Sequence, residues 1–238
     1  MPLKNTRAFI VESAFKSASP TKLPCGNFAP LHQRVTVLSP FAVAVYRAIL
    51  RHFIKTGHAP DLGRHRYTDQ PMLKHVLSLL DERDLIYLNG QSGGIEAAYP
   101  FSASPTVHKL RFTNRPAVHA YAMCAIDALG VAFLCNEEVA IRSKCHSCGK
   151  DVLLEINAAV IARHAPESAV VWVDVPAASP AQTGHAATSL CCKIVFNCGG
   201  DCLRQWRSTS HGARGQVLSL GEALWLGREA FSDVLSSE

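Results

Sequence analysis

The chain has 238 residues and nine cysteines, and its length fits one large domain or two smaller ones. Apolar residues make up 48% and charged residues 18%, so the chain can build a hydrophobic core and global disorder is excluded. The formal net charge of +5 is a mild excess, which permits an anionic partner but makes a nucleic-acid partner unexpected.

No segment is long and apolar enough for a membrane span or a signal peptide. We therefore expect a soluble cytoplasmic protein without a membrane partner. In a reducing compartment its thiols stay mostly free, and cysteines there are more often catalytic or metal-binding than paired in disulfides.

The N-terminal residues predict a loose segment followed by a helix. Residues 1–36 are interrupted by Pro, Ser, Lys and Gly, which is typical of a loosely ordered extension. Residues 39–60 then show apolar side chains at helical spacing, with Ser39 as the N-cap and Pro40 at the first helical position.

The next segment predicts a second helix and a hairpin. Residues 67–88 can be capped by Thr68 or Asp69. The predicted apolar face comprises Met72, Val76, Leu79 and Leu80. Residues 84–102 then read as a strand, an Asn-Gly turn and a second strand. Two helices and a hairpin predict a winged-helix-like domain over 37–112.

A winged helix has two functional interpretations. One is DNA binding through Arg64, His65 and Arg66, which lead into the second helix. The other is a helical cap that packs on a catalytic domain. We favour the cap, because nucleic-acid recognition needs a clustered basic face and the basic residues here are few.

The second half predicts an α+β catalytic domain over 113–238, with a buried helix laid on mostly antiparallel strands. The nearly apolar stretch HAYAMCAIDALGVAFLC at 119–135 is expected to be that helix, preceded by Pro116. Strands are predicted at 108–112, on both sides of the turn 145–149, at 168–176 and at 189–198. A polar loop is predicted at 176–188 and a closing amphipathic helix at 222–235.

Cys124 and Asp127 are the first candidates for chemistry. On a helix, a spacing of three places them on one face, within reach of one ligand. An apolar environment raises a carboxyl pKa, so Asp127 is a candidate general acid. The alternative is a structural core cysteine beside a hydrogen-bonded acid, and spacing alone leaves both open.

Further cysteines suggest two more sites. Cys191 and Cys192 would point to opposite faces of a strand, and Cys191 is the better pocket candidate because Cys192 shares its side with apolar residues. The sequences CHSC (145–148) and CGGDC (198–202) together could form a four-thiolate zinc site. Structural, buried or surface thiols are the alternatives in both cases.

These motifs in this order resemble the organomercurial (alkylmercury) lyases. The resemblance extends over about residues 40–235. It rests on the C-x-x-D segment, the Cys-Gly turn, the Cys-Cys pair, Trp206, and the stretches GGIEAAYPFSASPTVHKLRF and GEALWLGREAF.

The resemblance implies protonolytic cleavage of carbon–mercury bonds, giving a hydrocarbon and Hg(II). It assigns mercury binding to Cys124 and Cys191, proton delivery to Asp127, and a structural role to Cys145. It further implies that no metal cofactor is needed, that cellular thiols are co-reactants, and that a mercuric reductase accepts the Hg(II). A non-catalytic soft-metal (mercury) binding protein and a metal-sensing winged-helix regulator remain the alternatives.

The resemblance leaves several cysteines without an assigned role. They are Cys25, Cys135, Cys148, Cys192, Cys198 and Cys202.

Overall fold

The computed structural model describes residues 31–62, 71–157, 159–174, 184–209 and 215–236. The helices are α1 (Leu31–Val35), α2 (Pro40–Thr56), α3 (Pro71–Glu82), α4 (Ala125–Cys135), α5 (Ala186–Ser189), α6 (Gly200–Thr209) and α7 (Leu220–Phe231). The strands are β1 (Ile86–Leu88), β2 (Ile95–Ala98), β3 (Phe101–Ser102), β4 (Lys109–Phe112), β5 (Arg115–Ala122), β6 (Val139–Lys144), β7 (Asp151–Asn157), β8 (Val160–Ala165), β9 (Val170–Asp174), β10 (Ile194–Asn197) and β11 (Gly215–Ser219).

The strands form two antiparallel sheets, as the α+β prediction expects. The larger has eight strands in the order β1-β2-β3-β5-β4-β6-β7-β8, and the smaller has the order β10-β9-β11. Strands β4 and β5 pair across the predicted domain boundary at 112/113. The hairpin β1–β2 is therefore the edge of a sheet that continues into the second half, and the winged-helix interpretation stays a prediction.

The first long helix begins as its sequence predicts but ends at Thr56, before the predicted end at residue 60. The Ser39 side chain accepts a hydrogen bond from the Ala42 N–H, and Pro40 opens α2. The helix is capped by Gly57, whose φ of +80° suits glycine; a Cβ there would lie 2.0 Å from the His119 carbonyl oxygen. Before it, α1 with its buried ends forms a helix inside the stretch predicted to be loosely ordered.

The buried face of α3 differs from the prediction. Met72 is 67% exposed, and the face packed into the core consists of Leu73, Val76, Leu77 and Leu80. These residues follow the i, i+3, i+4, i+7 spacing of one helical face. The predicted set has the i, i+4, i+7, i+8 spacing of a neighbouring face, so spacing alone could not decide which face is buried. The predicted caps Thr68 and Asp69 and the basic residues Arg64, His65 and Arg66 lie outside the described residues.

Two element boundaries near the candidate site were predicted wrongly. The stretch 119–135 is not one helix: β5 continues through Ala122, with Pro116 inside the strand, and α4 begins only at Ala125. Likewise 189–198 is not one strand, because a 3₁₀ turn over Cys191–Lys193 precedes β10. In both cases the side chain of interest lies in the connection that leads into a regular element.

Helix α4 lies in the centre of the core, and α7 packs directly against it. The two helices approach closely at Gly130 and Gly227. A Cβ on Gly227 would lie 2.8 Å from the Gly130 nitrogen, and one on Gly130 would lie 2.2 Å from the Phe231 ring. Glycine at both positions therefore permits the close packing of α4 against α7.

Among the helices in the described ranges, none has the length and apolar character needed to cross a membrane.

Candidate active site

Cys124 is the N-cap of α4 and is not part of the helix itself. Its backbone is extended (φ −148°, ψ 178°), and its Sγ accepts a hydrogen bond from the Asp127 N–H at 3.3 Å. The cap fixes the relation between the two side chains, because Asp127 occupies the third helical position. The predicted proximity of Cys124 and Asp127 is thus present, with a capping interaction in place of a shared helical face.

Cys191 lies close to Cys124 and Asp127, although it comes from a distant part of the sequence. It begins the 3₁₀ turn that follows α5 and is buried, whereas the next residue, Cys192, is exposed. The two side chains do face different surroundings, but through the turn and not through strand alternation. Cys192 was predicted on the apolar side and is instead exposed, because it lies in the 3₁₀ turn and not in β10.

The three side chains converge in a buried cluster. The Cys191 thiol donates a hydrogen bond to Asp127 Oδ2 at 3.6 Å, and one ligand atom from each of Cys124, Asp127 and Cys191 lies within 4.8 Å of the others. Their exposed fractions are 2%, 7% and 6%, so little solvent reaches them. Two thiols and a carboxyl at this separation are a suitable set of ligands for one soft metal ion.

Burial shifts the protonation of all three groups. It raises the pKa of Asp127 to about 7, against the contacts with Cys124 and Cys191, which lower it. Burial is also the main reason why the pKa of Cys124 lies well above its usual value. For Cys191 the contact with Cys124 favours the thiolate, yet burial and the Asp127 carboxyl outweigh it and raise the pKa. At neutral pH both thiols therefore keep their protons, and Asp127 is about half protonated, so it can both accept and donate a proton.

The segment that carries Cys191 is anchored to the loop after α3 and to the β2–β3 turn. The Tyr99 hydroxyl donates to Asp84 Oδ1 at 2.8 Å and accepts from the Ala187 N–H at 2.7 Å. Asp84 Oδ1 also accepts from the Ala186 N–H at 3.1 Å. Tyr99 and Asp84 were not predicted from the sequence, because their backbone partners lie 88 and 102 residues later and no motif marks such a contact.

The His185 side chain adds to this anchor. His185 Nε2 lies 3.0 Å from Asp81 Oδ1, and the His185 ring packs on Tyr87 with centroids 4.7 Å apart. The turn carrying Cys191 is therefore fixed on the first half of the chain.

The remaining cysteines fall into separate places. Cys145, Cys148, Cys198 and Cys202 lie together at the far end of β10, whereas Cys135 donates to the Val131 carbonyl within α4. Cys25 lies outside the described residues.

Comparisons with known proteins show the family of the chain. Residues 101–232, more than half of the chain, match the family model described as MerB: Alkylmercury lyase. Alkylmercury lyases of Bacillus cereus and Clostridium butyricum are each 30% identical over 124 residues, which cover 52% of this chain and 53% of theirs. The chain thus matches about half the length of these relatives. The Staphylococcus epidermidis alkylmercury lyase is 24% identical over 186 residues, 77% of this chain and 80% of its own.

A solved structure shares the fold. It is titled as the mercury-bound form of MerB2, has a TM-score of 0.68 and 22% sequence identity, and is matched over 86% of this chain and 96% of its own. The fold and the buried thiol–carboxyl cluster define a protein built to place two sulfurs and an acid around one small site. The chain belongs to the alkylmercury lyase family.

Proposed function

We propose that this protein is an organomercurial lyase that cleaves carbon–mercury bonds by protonolysis. The observation that carries the proposal is the convergence of Cys124, Asp127 and Cys191 within 4.8 Å in a buried site. The relatives are named alkylmercury lyases, which describes the same activity. An organomercurial carries a soft metal and an apolar group, and the site offers thiols within an apolar core.

The two thiols replace the ligands of mercury. For a substrate R–Hg–X, the first thiol binds mercury and releases HX, and the second thiol then adds its sulfur to the same mercury. The overall change is R–Hg–X plus two cysteine thiols to R–H, HX and Hg(II) held by two thiolates. Sulfur coordination raises the electron density on mercury and weakens its bond to carbon.

Asp127 moves the proton that the carbon needs. The carbon would otherwise leave as a carbanion, which is a very poor leaving group, so a proton must arrive as the bond breaks. A pKa of about 7 lets Asp127 take a proton from a mercury-bound thiol and give it to carbon at neutral pH. Its contact with Cys191 provides a direct path for that transfer.

The remaining participants follow from the chemistry of the product. Hg(II) on two thiolates is removed by thiols in solution, so cellular thiols act as co-reactants, and a mercuric reductase is the proposed acceptor. The reaction as written needs no metal cofactor. The cytoplasm, where thiols stay reduced, is the proposed compartment.

Hydrocarbon release tests this function. Reduced protein is incubated with phenylmercury and excess cysteine, and benzene is followed by gas chromatography. We expect release by the wild type, loss of release in Cys124→Ser, and unchanged release in Cys192→Ser, a variant of an exposed thiol. Folded, reduced wild type that binds phenylmercury without releasing benzene would contradict the lyase and indicate a mercury-binding protein.

A further inference from the structure

A second group of thiols lies outside the candidate active site. We call Cys145, Cys148, Cys198 and Cys202 the four-cysteine cluster. The sulfurs of Cys145 and Cys202 are 3.6 Å apart, and those of Cys148 and Cys198 are 3.8 Å apart. The sulfurs of Cys145, Cys148 and Cys202 all lie within 4.8 Å of one another. Strand β10 separates this cluster from Cys191.

The first pair lies in a tight turn between β6 and β7. The Cys145 N–H donates to the Lys150 carbonyl at 2.7 Å, and the Gly149 N–H donates to the Cys145 carbonyl at 2.9 Å. Gly149 has a φ of +73°, a conformation that glycine adopts without strain. A C-x-x-C-G turn of this shape brings two cysteine side chains to one ligand.

The second pair lies at the start of α6. Cys198 comes just before the helix and Cys202 in its first turn, where the helix dipole favours negative charge. The Cys198 N–H donates to the Cys145 sulfur at 3.2 Å, an interaction that stabilises a thiolate. Each pair is thus held by local backbone structure, and the two pairs face each other.

A buried polar atom beside the cluster also fits a deprotonated Cys145. Asn197 has no exposed surface, and its Nδ2 has no hydrogen-bond partner among the described residues. Its Oδ1 lies 3.8 Å from the Cys145 sulfur and accepts from the Ser147 hydroxyl. If the amide oxygen and nitrogen exchange places, the nitrogen donates to a Cys145 thiolate and Ser147 becomes the acceptor.

We propose that the four-cysteine cluster binds one zinc ion through four thiolates. In a tetrahedral site with Zn–S bonds of about 2.3 Å, neighbouring sulfurs lie about 3.8 Å apart. Two of the six sulfur–sulfur separations, 3.6 and 3.8 Å, match this value. Cys198 is not among the three sulfurs that all lie within 4.8 Å of one another, so its side chain must move closer to complete the tetrahedron. The pairs come from a turn and a helix start far apart in the sequence, so the ion would tie the β6–β7 turn to the junction of β10 and α6.

The zinc site is distinct from the proposed active site and has a structural role. Strand β10 connects the 3₁₀ turn of Cys191 to Cys198, so fixing one end of the strand limits the movement of the other. The reaction proposed above does not pass through this ion. Absence of zinc would therefore not contradict the lyase proposal, and absence of lyase activity would not contradict the zinc proposal.

Metal content tests the proposal directly. Full-length protein is purified under reducing conditions without chelator, supplied with zinc, desalted and measured by mass spectrometry of the metal. We expect about one zinc per chain, as in other closed four-thiolate sites. Cys148→Ser and Cys202→Ser should lose most of it. Cys192→Ser, and a Cys124→Ser/Cys191→Ser double variant, should retain it, because these thiols lie outside the cluster.

Cobalt provides a second readout that does not depend on any variant. Wild-type protein loaded with Co(II) should show the visible absorption bands of a tetrahedral thiolate site. Folded, reduced wild type that takes up less than about a tenth of an equivalent of zinc would overturn the proposal. So would zinc that disappears in the Cys124→Ser/Cys191→Ser variant, or disulfides within the cluster in protein kept reduced.

Discussion

The Cys191 thiol donates a hydrogen bond to the Asp127 carboxyl across 3.6 Å, although the two residues are 64 positions apart in the chain. Asp127 is placed by the N-terminus of a core helix, and Cys191 by a turn anchored on the first half of the chain. The contact therefore depends on both halves, and it joins the proposed proton donor to one of the two proposed mercury ligands.

Replacing Asp127 by asparagine should remove proton delivery and keep mercury binding. Asparagine has nearly the same shape but cannot transfer a proton as an acid. We expect the single-turnover rate of benzene release to fall by about 10²- to 10⁴-fold, as for other general acids. Phenylmercury should still bind, as measured by bound mercury after desalting. A rate equal to the wild type would exclude Asp127 as the proton donor.

The same variant should change how stability depends on pH. In the folded protein the Asp127 pKa is about 7, above its ordinary 3.8, so the folded state binds more protons between these values. The contribution of Asp127 to the free energy of unfolding is therefore fully present below about pH 4 and is lost as the pH rises through about 7.

Urea unfolding at several pH values measures this effect. The stability of the wild type relative to Asp127→Asn should fall as the pH rises from about 4 to about 7. A difference in unfolding free energy between the wild type and Asp127→Asn that is independent of pH would contradict the raised pKa of Asp127.

The two adjacent cysteines provide a matched pair for testing mercury retention. Cys191 is buried beside Asp127, whereas Cys192 is exposed. Loaded directly with one equivalent of Hg(II), Cys191→Ser should hold the ion far more weakly than the wild type, because one of two soft ligands is replaced by a hydroxyl. Cys192→Ser should hold it normally. Equal retention of Hg(II) by both variants during dialysis against cysteine would contradict the assignment.

Tyr99 is predicted to position the turn that carries Cys191. Tyr99→Phe removes a hydroxyl that contacts both Asp84 and the Ala187 N–H. The Ala187 N–H then loses its acceptor, at a cost of about 1–3 kcal/mol, whereas Asp84 keeps its contact with the Ala186 N–H. We expect a lower kcat for benzene release and a faster loss of Hg(II), with little change in KM. Tyr121→Phe, on β5, is the control. A loss of stability with an unchanged kcat would assign Tyr99 a purely structural role.

The close approach of α4 and α7 predicts a stability defect. In Gly227→Val the added side chain meets the Gly130 backbone, which cannot move without shifting α4. Overpacking of this kind costs about 1–3 kcal/mol, seen as a lower urea midpoint with an unchanged slope. Gly90→Ala is a control, because nothing lies within 4 Å of a Cβ at that position. Equal midpoints for both variants would contradict the close contact.

Regular elements with local signals were predictable from the sequence. Ser39 and Pro40 mark the start of α2, and the Asn-Gly turn marks the hairpin β1–β2. The stretch before Cys124 was predicted wrongly as helix, because an apolar run does not by itself distinguish a buried strand from a buried helix. The β5 strand is decided by its pairing with β4, which is tertiary information.

The candidate site was predictable in its residues but not in its construction. The family resemblance pointed to Cys124, Asp127 and Cys191, and the structure brings them together. That Cys124 caps the helix, and that Asp84 and Tyr99 hold the Cys191 segment, follows from contacts between distant parts of the chain. The C-x-x-C and C-x-x-x-C spacings suggested a four-thiolate site, and their proximity needed the fold.

A single turnover without added thiol tests the central claim most directly. Reduced protein, freed of small thiols, is mixed with less than one equivalent of phenylmercury, and both benzene and protein-bound mercury are measured. We expect one benzene for each phenylmercury consumed, with the Hg(II) retained on the protein. Phenylmercury recovered intact from the folded protein, without benzene, would contradict the lyase and leave a binding site in its place.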